Sequence, residues 1–376
     1  MPGPAQAYCA PEGLAAYAGR VAATATWPRL PAAALPAPPL PAPPLPAPAL
    51  PGVGLEPSPG MAPDGGAIPS SRAAADRGHA PSPRAAPAVA IGECRVLAGA
   101  SSWSDRSLVQ DGGFYPSRRQ SAGERLRYYA TQLPLAEAAT TYRFPPTPQL
   151  SRRWADALPP GFTLDLRAWS LLSGAPTWPE SLWSDLQGHV RPSRRDGAKL
   201  YRDRLPPEVV DQCWERFCHA ISPLSEAGVL GAVVFRYPPW FGPRLSAWEE
   251  LAALPARMAG FQVAVEFTCT RWFEGDVCEQ TLGFLEELGI AFVCRDEVPG
   301  TRPVVAATQD LALVRFPGRA FGPGPWRYRY SQDELASWVP AVRDLASGAK
   351  ELHLIMDNCW RTDAVDNAAS LLELLG

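Results

Sequence analysis

From Gly92 to its C-terminus the chain alternates short apolar runs with amphipathic helical patterns, and it does so eight times. The runs are RVLAG (95–99), PLAEAATTY (134–142), GFTLDLRAWS (161–170), GAVVF (231–235), FQVAVEF (261–267), AFVC (291–294), LALVRF (311–316) and ELHLIM (351–356). Each reads as a strand, and most are followed by a segment of helical period. Strands joined through helices pair in parallel, because parallel neighbours need a crossover connection. The count and the length suit an α/β chain closed as a (β/α)8 barrel of the TIM type. An open doubly wound sheet is the competing architecture, but no Gly-x-Gly-x-x-Gly follows the first run to support a dinucleotide site. Two helix starts are marked by capping boxes, Ser121 to Glu124 and Ser331 to Glu334, and Gly228 is placed to end the helix before GAVVF.

Composition divides the chain. Of its 376 residues 44 are proline, and 21 of these stand in the first ninety, where a Leu-Pro-Ala-Pro-Pro repeat begins at Leu35. Such a segment lacks most backbone donors and reads as an extended polyproline spacer or a disordered extension. We therefore expect a disordered Pro/Ala-rich extension over 1–91 and one barrel domain over 92–376. A net charge of −3 gives no general attraction to nucleic acid or to anionic membrane. Nucleic-acid binding is disfavoured even at the basic loop Arg191, Arg194 and Arg195, which reads better as solvated surface. No segment is apolar for long enough to span a membrane, and the N-terminus is a poor signal peptide. Eight cysteines without a Cys-x-x-Cys pair suggest reduced thiols in a cytosolic protein. The four histidines (His79, His189, His219 and His353) lack ligand spacing, so no metal is expected, and no motif calls for a cofactor. Nothing in the sequence addresses oligomeric state.

A TIM barrel gathers its functional groups where the strands end, at the C-terminal mouth. Strand alternation says which residues face inward. In VAVEF, Glu266 shares its face with Ala264, so it points into the barrel, and Glu137 shares its face with Thr141. As functional groups these two carboxylates are the candidate catalytic acid/base pair; otherwise they are partners of buried ion pairs with arginines. Arg143, Arg167, Arg236 and Arg315 end four separate strands and could together grip a phosphate or carboxylate, or else neutralise those same acids. Arg236 lies on the face of Ala232 and Val234, and the two prolines after Tyr237 end its strand. Trp103, Trp240, Trp272 and Trp326 could wall a cleft, although packing explains loop aromatics as well.

The ordered set GASSWSDRSL, GGFYP, ERLRYYA, EAATTY, FRYPPWF, VEF with RWF, LALVRFPGR and DNCWRTDAVDNAASLLELL resembles the YecE-like family, domain of unknown function 72, from about Val96 onward. The resemblance implies a TIM-barrel-like fold and no established reaction. It also implies other residues at several strand ends. A lysine is implied at Arg167, a glutamine at Arg236, an arginine at Thr268, histidines at Pro317 and Ala175, and asparagine at Asp357. Asn or Asp is implied at Ala139 and an aromatic at Arg143. Glu137, Thr141, Tyr142, Glu266, Arg315 and Asn358 match the family pattern. Kept scaffold motifs with altered polar ends suggest a repurposed, non-catalytic barrel that binds a small anion through Arg236, Arg315, Arg167, Arg143, Tyr142, Thr141, Asp357 and Asn358. The alternative is a hydrolase or lyase acting on a phosphorylated or carboxylated metabolite, with Glu266 as general acid/base.

Overall fold

The computed structural model describes residues 85–110, 113–190, 199–296, 303–319 and 326–376. Among them, a short strand β1 (Val89–Ile91) precedes eight parallel strands: β2 (Cys94–Ala100), β3 (Leu135–Ala138), β4 (Thr163–Arg167), β5 (Leu230–Tyr237), β6 (Gln262–Phe267), β7 (Ala291–Arg295), β8 (Leu311–Phe316) and β9 (Glu351–Met356). Each of the eight pairs in parallel with the next, and β9 returns to β2, with Arg95 opposite Glu351 and Ala100 opposite Met356. The sheet is therefore a closed barrel, which decides against the open doubly wound alternative.

β1 runs antiparallel to the start of β2, with Ile91 opposite Cys94 and Val89 opposite Val96. One edge of β2 is taken by β9, so β1 occupies the other, below the point where β3 joins at Gly99 and Ala100. The domain boundary expected at 92 is thus late. Residues 85–91 belong with the barrel, and the Ala86 N–H also donates to the Ala130 carbonyl at 2.9 Å. The Pro/Ala-rich repeat and the arginines at 191, 194 and 195 lie outside the described residues.

Among the described residues the α-helices are α1 (Arg106–Gln110), α2 (Ala122–Gln132), α3 (Pro148–Ala157), α4 (Pro207–Glu226), α5 (Leu245–Arg257), α6 (Asp276–Glu287), α7 (Gln332–Gly348) and α8 (Asp363–Leu375). Their starts follow local chemistry. Ser121 Oγ accepts from the Glu124 N–H at 3.2 Å while Glu124 accepts from the Ser121 N–H at 2.7 Å, and Ser331 and Glu334 repeat this at α7 with 3.3 and 2.9 Å. Pro148 opens α3 behind the Thr147 cap, where a missing N–H costs nothing. Gly228, at φ +67°, ends the turn after α4, and the Val229 N–H returns to the Leu224 carbonyl at 3.1 Å. Among the described residues no helix is long and apolar enough to cross a membrane.

Two strands are shorter than their apolar runs. β3 stops at Ala138 because the chain turns into a 3-10 turn over Ala139–Tyr142, held by the Thr141 hydroxyl donating to the Ala138 carbonyl at 2.6 Å. β4 ends at Arg167, and the following residues enter the long connection to α4.

The helices pack on the outer faces of the strands, through side chains such as Val96, Leu166, Val233 and Phe235. The inward faces meet in a separate apolar middle layer that includes Leu97, Leu135, Val234, Val293, Leu313 and Ile355. Above and below that layer the inward positions turn polar. Cys94, Cys213, Cys269 and Cys294 are free thiols buried within the outer core.

Candidate functional site

The last inward position of each of six strands carries a charge: Glu137 on β3, Arg167 on β4, Arg236 on β5, Glu266 on β6, Arg295 on β7 and Arg315 on β8, with Asp357 just beyond β9. Period-2 alternation brings them to one level. Arg236 stands opposite Glu266 in the β5–β6 register, and Arg295 opposite Arg315 in β7–β8. The result is a ring of charge on the apolar middle layer, at the barrel's C-terminal mouth.

Glu137 is the ring's fixed point. It is fully buried; its Oε1 accepts from Arg167 Nε at 3.0 Å, Arg167 Nη2 at 2.7 Å and Arg315 Nη1 at 3.1 Å, and its Oε2 from Arg315 Nη2 at 2.6 Å. Arg315, also fully buried, reaches Glu266 with Nε at 2.7 Å from Oε2. Asp357 Oδ2 lies 3.1 Å from Arg167 Nη2 and 3.8 Å from Arg315 Nη1, and Asp357 Oδ1 accepts from the Ser101 hydroxyl. Burial opposes ionisation of Asp357, but the guanidiniums of Arg167, Arg315 and Arg236 outweigh it and hold the carboxyl well below the usual range. Burial likewise works against the charge of Arg315, and Glu137, Glu266 and Asp357 reverse the balance. Glu137 is the most fully engaged group of this floor, with four hydrogen bonds from two arginines.

The upper rim is looser. Arg236 meets Glu266 Oε1 only through Nε at 3.4 Å, and Arg295 only at 3.9 Å, with side chains 32% and 27% exposed. Neither guanidinium makes a hydrogen bond among the described residues. Half-buried Tyr142 stands beside them: burial raises its hydroxyl pKa, while Arg236 and Arg167 pull the other way. Glu266 feels desolvation too, yet Arg315, Arg236, Arg295 and Arg167 together hold it below its ordinary value. Four guanidiniums against three carboxylates leave one formal positive charge at a mouth that opens to solvent through Arg236 and Arg295.

Other expected residues are placed elsewhere. Arg143 is exposed in the turn after β3, near Lys199 instead of the ring. Thr141 spends its hydroxyl on the carbonyls after β3 and β4, and Asn358 Nδ2 donates to the Tyr328 carbonyl at 2.7 Å and Asn367 Oδ1 at 3.0 Å. Both are buried supports of the loops. Asp296 accepts from Arg319 at 2.8 and 2.6 Å, Tyr330 at 2.8 Å and Trp338 at 2.9 Å, so that pair ties β7 and the segment after β8 to α7. Trp103 and Trp272 are core side chains, whereas Trp240 and Trp326 are exposed.

Sequence reasoning passed over a second polar group, at the opposite end of the barrel. Asp165 Oδ2 meets His353 Nδ1 at 2.9 Å, His353 Nε2 meets Glu351 Oε1 at 2.7 Å, and Glu351 Oε2 accepts from Arg95 Nη1 at 3.0 Å. Asp165 Oδ1 also accepts from the Ala232 N–H at 2.7 Å. The two carboxylates flank the imidazole from opposite sides and do not converge on a point, and among the described residues no cluster suits a metal ion. Burial disfavours the imidazolium, but Asp165 and Glu351 overcome it and push His353 up to about 9. Alternation could have found this chain, because Asp165 shares parity with Arg167, and His353 with Ile355.

A family model described as "Protein of unknown function DUF72" matches residues 97–376. The chain is similar to the UPF0759 protein YunF of Bacillus subtilis (strain 168), with 26% identity over 298 residues, 74% of this chain and 94% of that protein. Among solved structures it is similar to a DUF72 family protein from Enterococcus faecalis V583, at TM-score 0.58 and 23% identity over 74% of this chain and 95% of that one. A DUF72 family protein from Thermotoga maritima MSB8 matches at TM-score 0.58 and 24% identity, over 74% and 98%. At these identities the structural likeness speaks to the fold.

Proposed function

Because this chain belongs to the DUF72 family, a family of unknown function, we propose from the site itself that the barrel binds a small anion at its mouth, on Arg236 and Arg295. The observation that carries this reading is the state of those two guanidiniums. They sit partly exposed over a buried ion network, and among the described residues the contacts that hold them are long ones to Glu266. Taking an ion out of water costs several kcal/mol, which pairing only offsets, so a barrel shaped for stability alone would continue its apolar middle layer upward. A ring that ends in loosely held guanidiniums with a positive excess suits phosphate or carboxylate, which a guanidinium fork grips through two parallel bonds.

The same geometry favours binding over proton transfer. Glu137 accepts four hydrogen bonds from two arginines, which leaves it no freedom to shuttle a proton. Glu266, held below its ordinary pKa, is a carboxylate at neutral pH and a weak base, unlike a general acid or base tuned toward the working pH.

Thermal melting tests the proposal. Inorganic phosphate should raise the melting temperature of the wild-type chain by mass action, less at high salt, and should leave Arg236→Ala unshifted. Equal shifts in the two proteins would refute the assignment.

A further inference from the structure

The charge of Glu266 is compensated, but its lone pairs are not. The residue is fully buried, and neither carboxylate oxygen has a hydrogen-bond partner among the described residues. Arg315 Nε lies 2.7 Å from Oε2, and Arg236 Nε and Arg295 Nε lie 3.4 and 3.9 Å from Oε1, so attraction is present without hydrogen-bond alignment. Of the nearby donors, those of Arg236, Arg295 and Arg315 Nε face Glu266 without hydrogen-bond geometry, and the rest are committed elsewhere. Both terminal nitrogens of Arg315 donate to Glu137, Arg167 is divided between Glu137 and Asp357, and the Ser101 hydroxyl goes to Asp357. Folded proteins leave few buried acceptors in this condition, and a carboxylate accepts without donating, so what Glu266 lacks is a donor.

We propose that the ligand brings the missing donor: the mouth selects hydroxylated anions, small hydroxy acids or polyol phosphates, over the same anions without the hydroxyl. This inference rests on the anion-binding reading. The anionic group docks on the guanidiniums of Arg236 and Arg295, both of which border Oε1, and a hydroxyl near the anionic group donates to Glu266. An O–H donating to a carboxylate is among the stronger hydrogen bonds, and a site built around it discriminates against a ligand that lacks it. Glu266 is then a specificity-determining residue, which explains why a carboxylate is buried at the centre of a site for anions.

The test is titration calorimetry on the full chain at low ionic strength with two matched pairs, lactate against propionate and glycerol 3-phosphate against n-propyl phosphate. In at least one pair the hydroxylated member should bind tighter by about tenfold, the order expected for one charge-assisted hydrogen bond. The pair that responds identifies carboxylate or phosphate as the anionic group. In Glu266→Gln the preference should shrink, while the deoxy ligand binds as well as before or better because a negative charge has gone. Equal affinity within both pairs for the wild-type chain would overturn the inference whether or not the variant folds. If inorganic phosphate binds through Arg236 while the hydroxyl has no effect, this inference alone fails. If none of these anions binds, the anion-binding reading fails with it.

Discussion

The polar chain at the end of the barrel opposite the mouth makes stability depend on pH in a direction that the structure specifies. His353 is fully buried between Asp165 and Glu351, and its pKa rises from 6.5 to about 9 in the folded protein. A group whose folded pKa is raised contributes stability that is complete below its unfolded pKa and lost as pH rises through the folded value. At roughly 1.4 kcal/mol per pKa unit, the rise corresponds to ~3 kcal/mol that is present below pH 6.5 and gone above about 9. The perturbation is His353→Asn, which removes the titrating group and leaves Asp165 and Glu351 without their shared cation. Urea unfolding of both proteins from about pH 6 to about pH 10 should give a stability gap that is widest at the acid end and narrows by ~3 kcal/mol across the range. Tyrosine and cysteine ionisation at the alkaline end affects both proteins and largely cancels in the difference. A gap that stays constant with pH would refute the imidazolium at the centre of this chain.

Gly231→Ala should disrupt the same network, because a Cβ there would lie 2.3 Å from Asp165 Oδ1 and 2.7 Å from Thr163 Cγ2. The expected cost is on the order of 3 kcal/mol, read as a lower urea midpoint. At the other end, Arg315→Ala should destabilise by ~3–5 kcal/mol, since it strands the buried carboxylates of Glu137 and Glu266, whereas Arg236→Ala should cost ~1 kcal/mol or less because its contact is long and solvent-screened. Similar losses for the two arginine variants would contradict the division into fixed floor and loose rim. Ser331→Ala removes the cap of α7 and should lower stability by ~1 kcal/mol in the same assay.

The barrel could be read in the sequence because its evidence is local: apolar runs of strand length, caps such as Ser121 and Ser331, and a helix between most neighbours. Alternation also reported that Glu266 faces inward with Ala264. It did not report partners. Glu137 and Arg315 are 178 residues apart in sequence and meet only because barrel closure brings β3 and β8 to one interior. The same limit explains Thr141 and Asn358, whose polar groups are taken up by backbone and loop contacts that no strand pattern encodes. The boundary of the folded region was placed late because Val89–Ile91 is too brief a run to stand out beside a proline-rich segment. Asp165 and His353 were within reach of alternation, but their pairing was not, because β4 and β9 bring together residues 188 apart in the chain.

The proposed anion site on Arg236 and Arg295, above the buried ion network, is open to direct observation. A crystal of the protein grown with selenate, a phosphate-shaped anion whose selenium scatters anomalously, tests it directly. An anomalous peak is expected at the barrel mouth, with selenate oxygens about 3 Å from guanidinium nitrogens of both arginines. An empty mouth in a crystal that binds selenate elsewhere on its surface would contradict it.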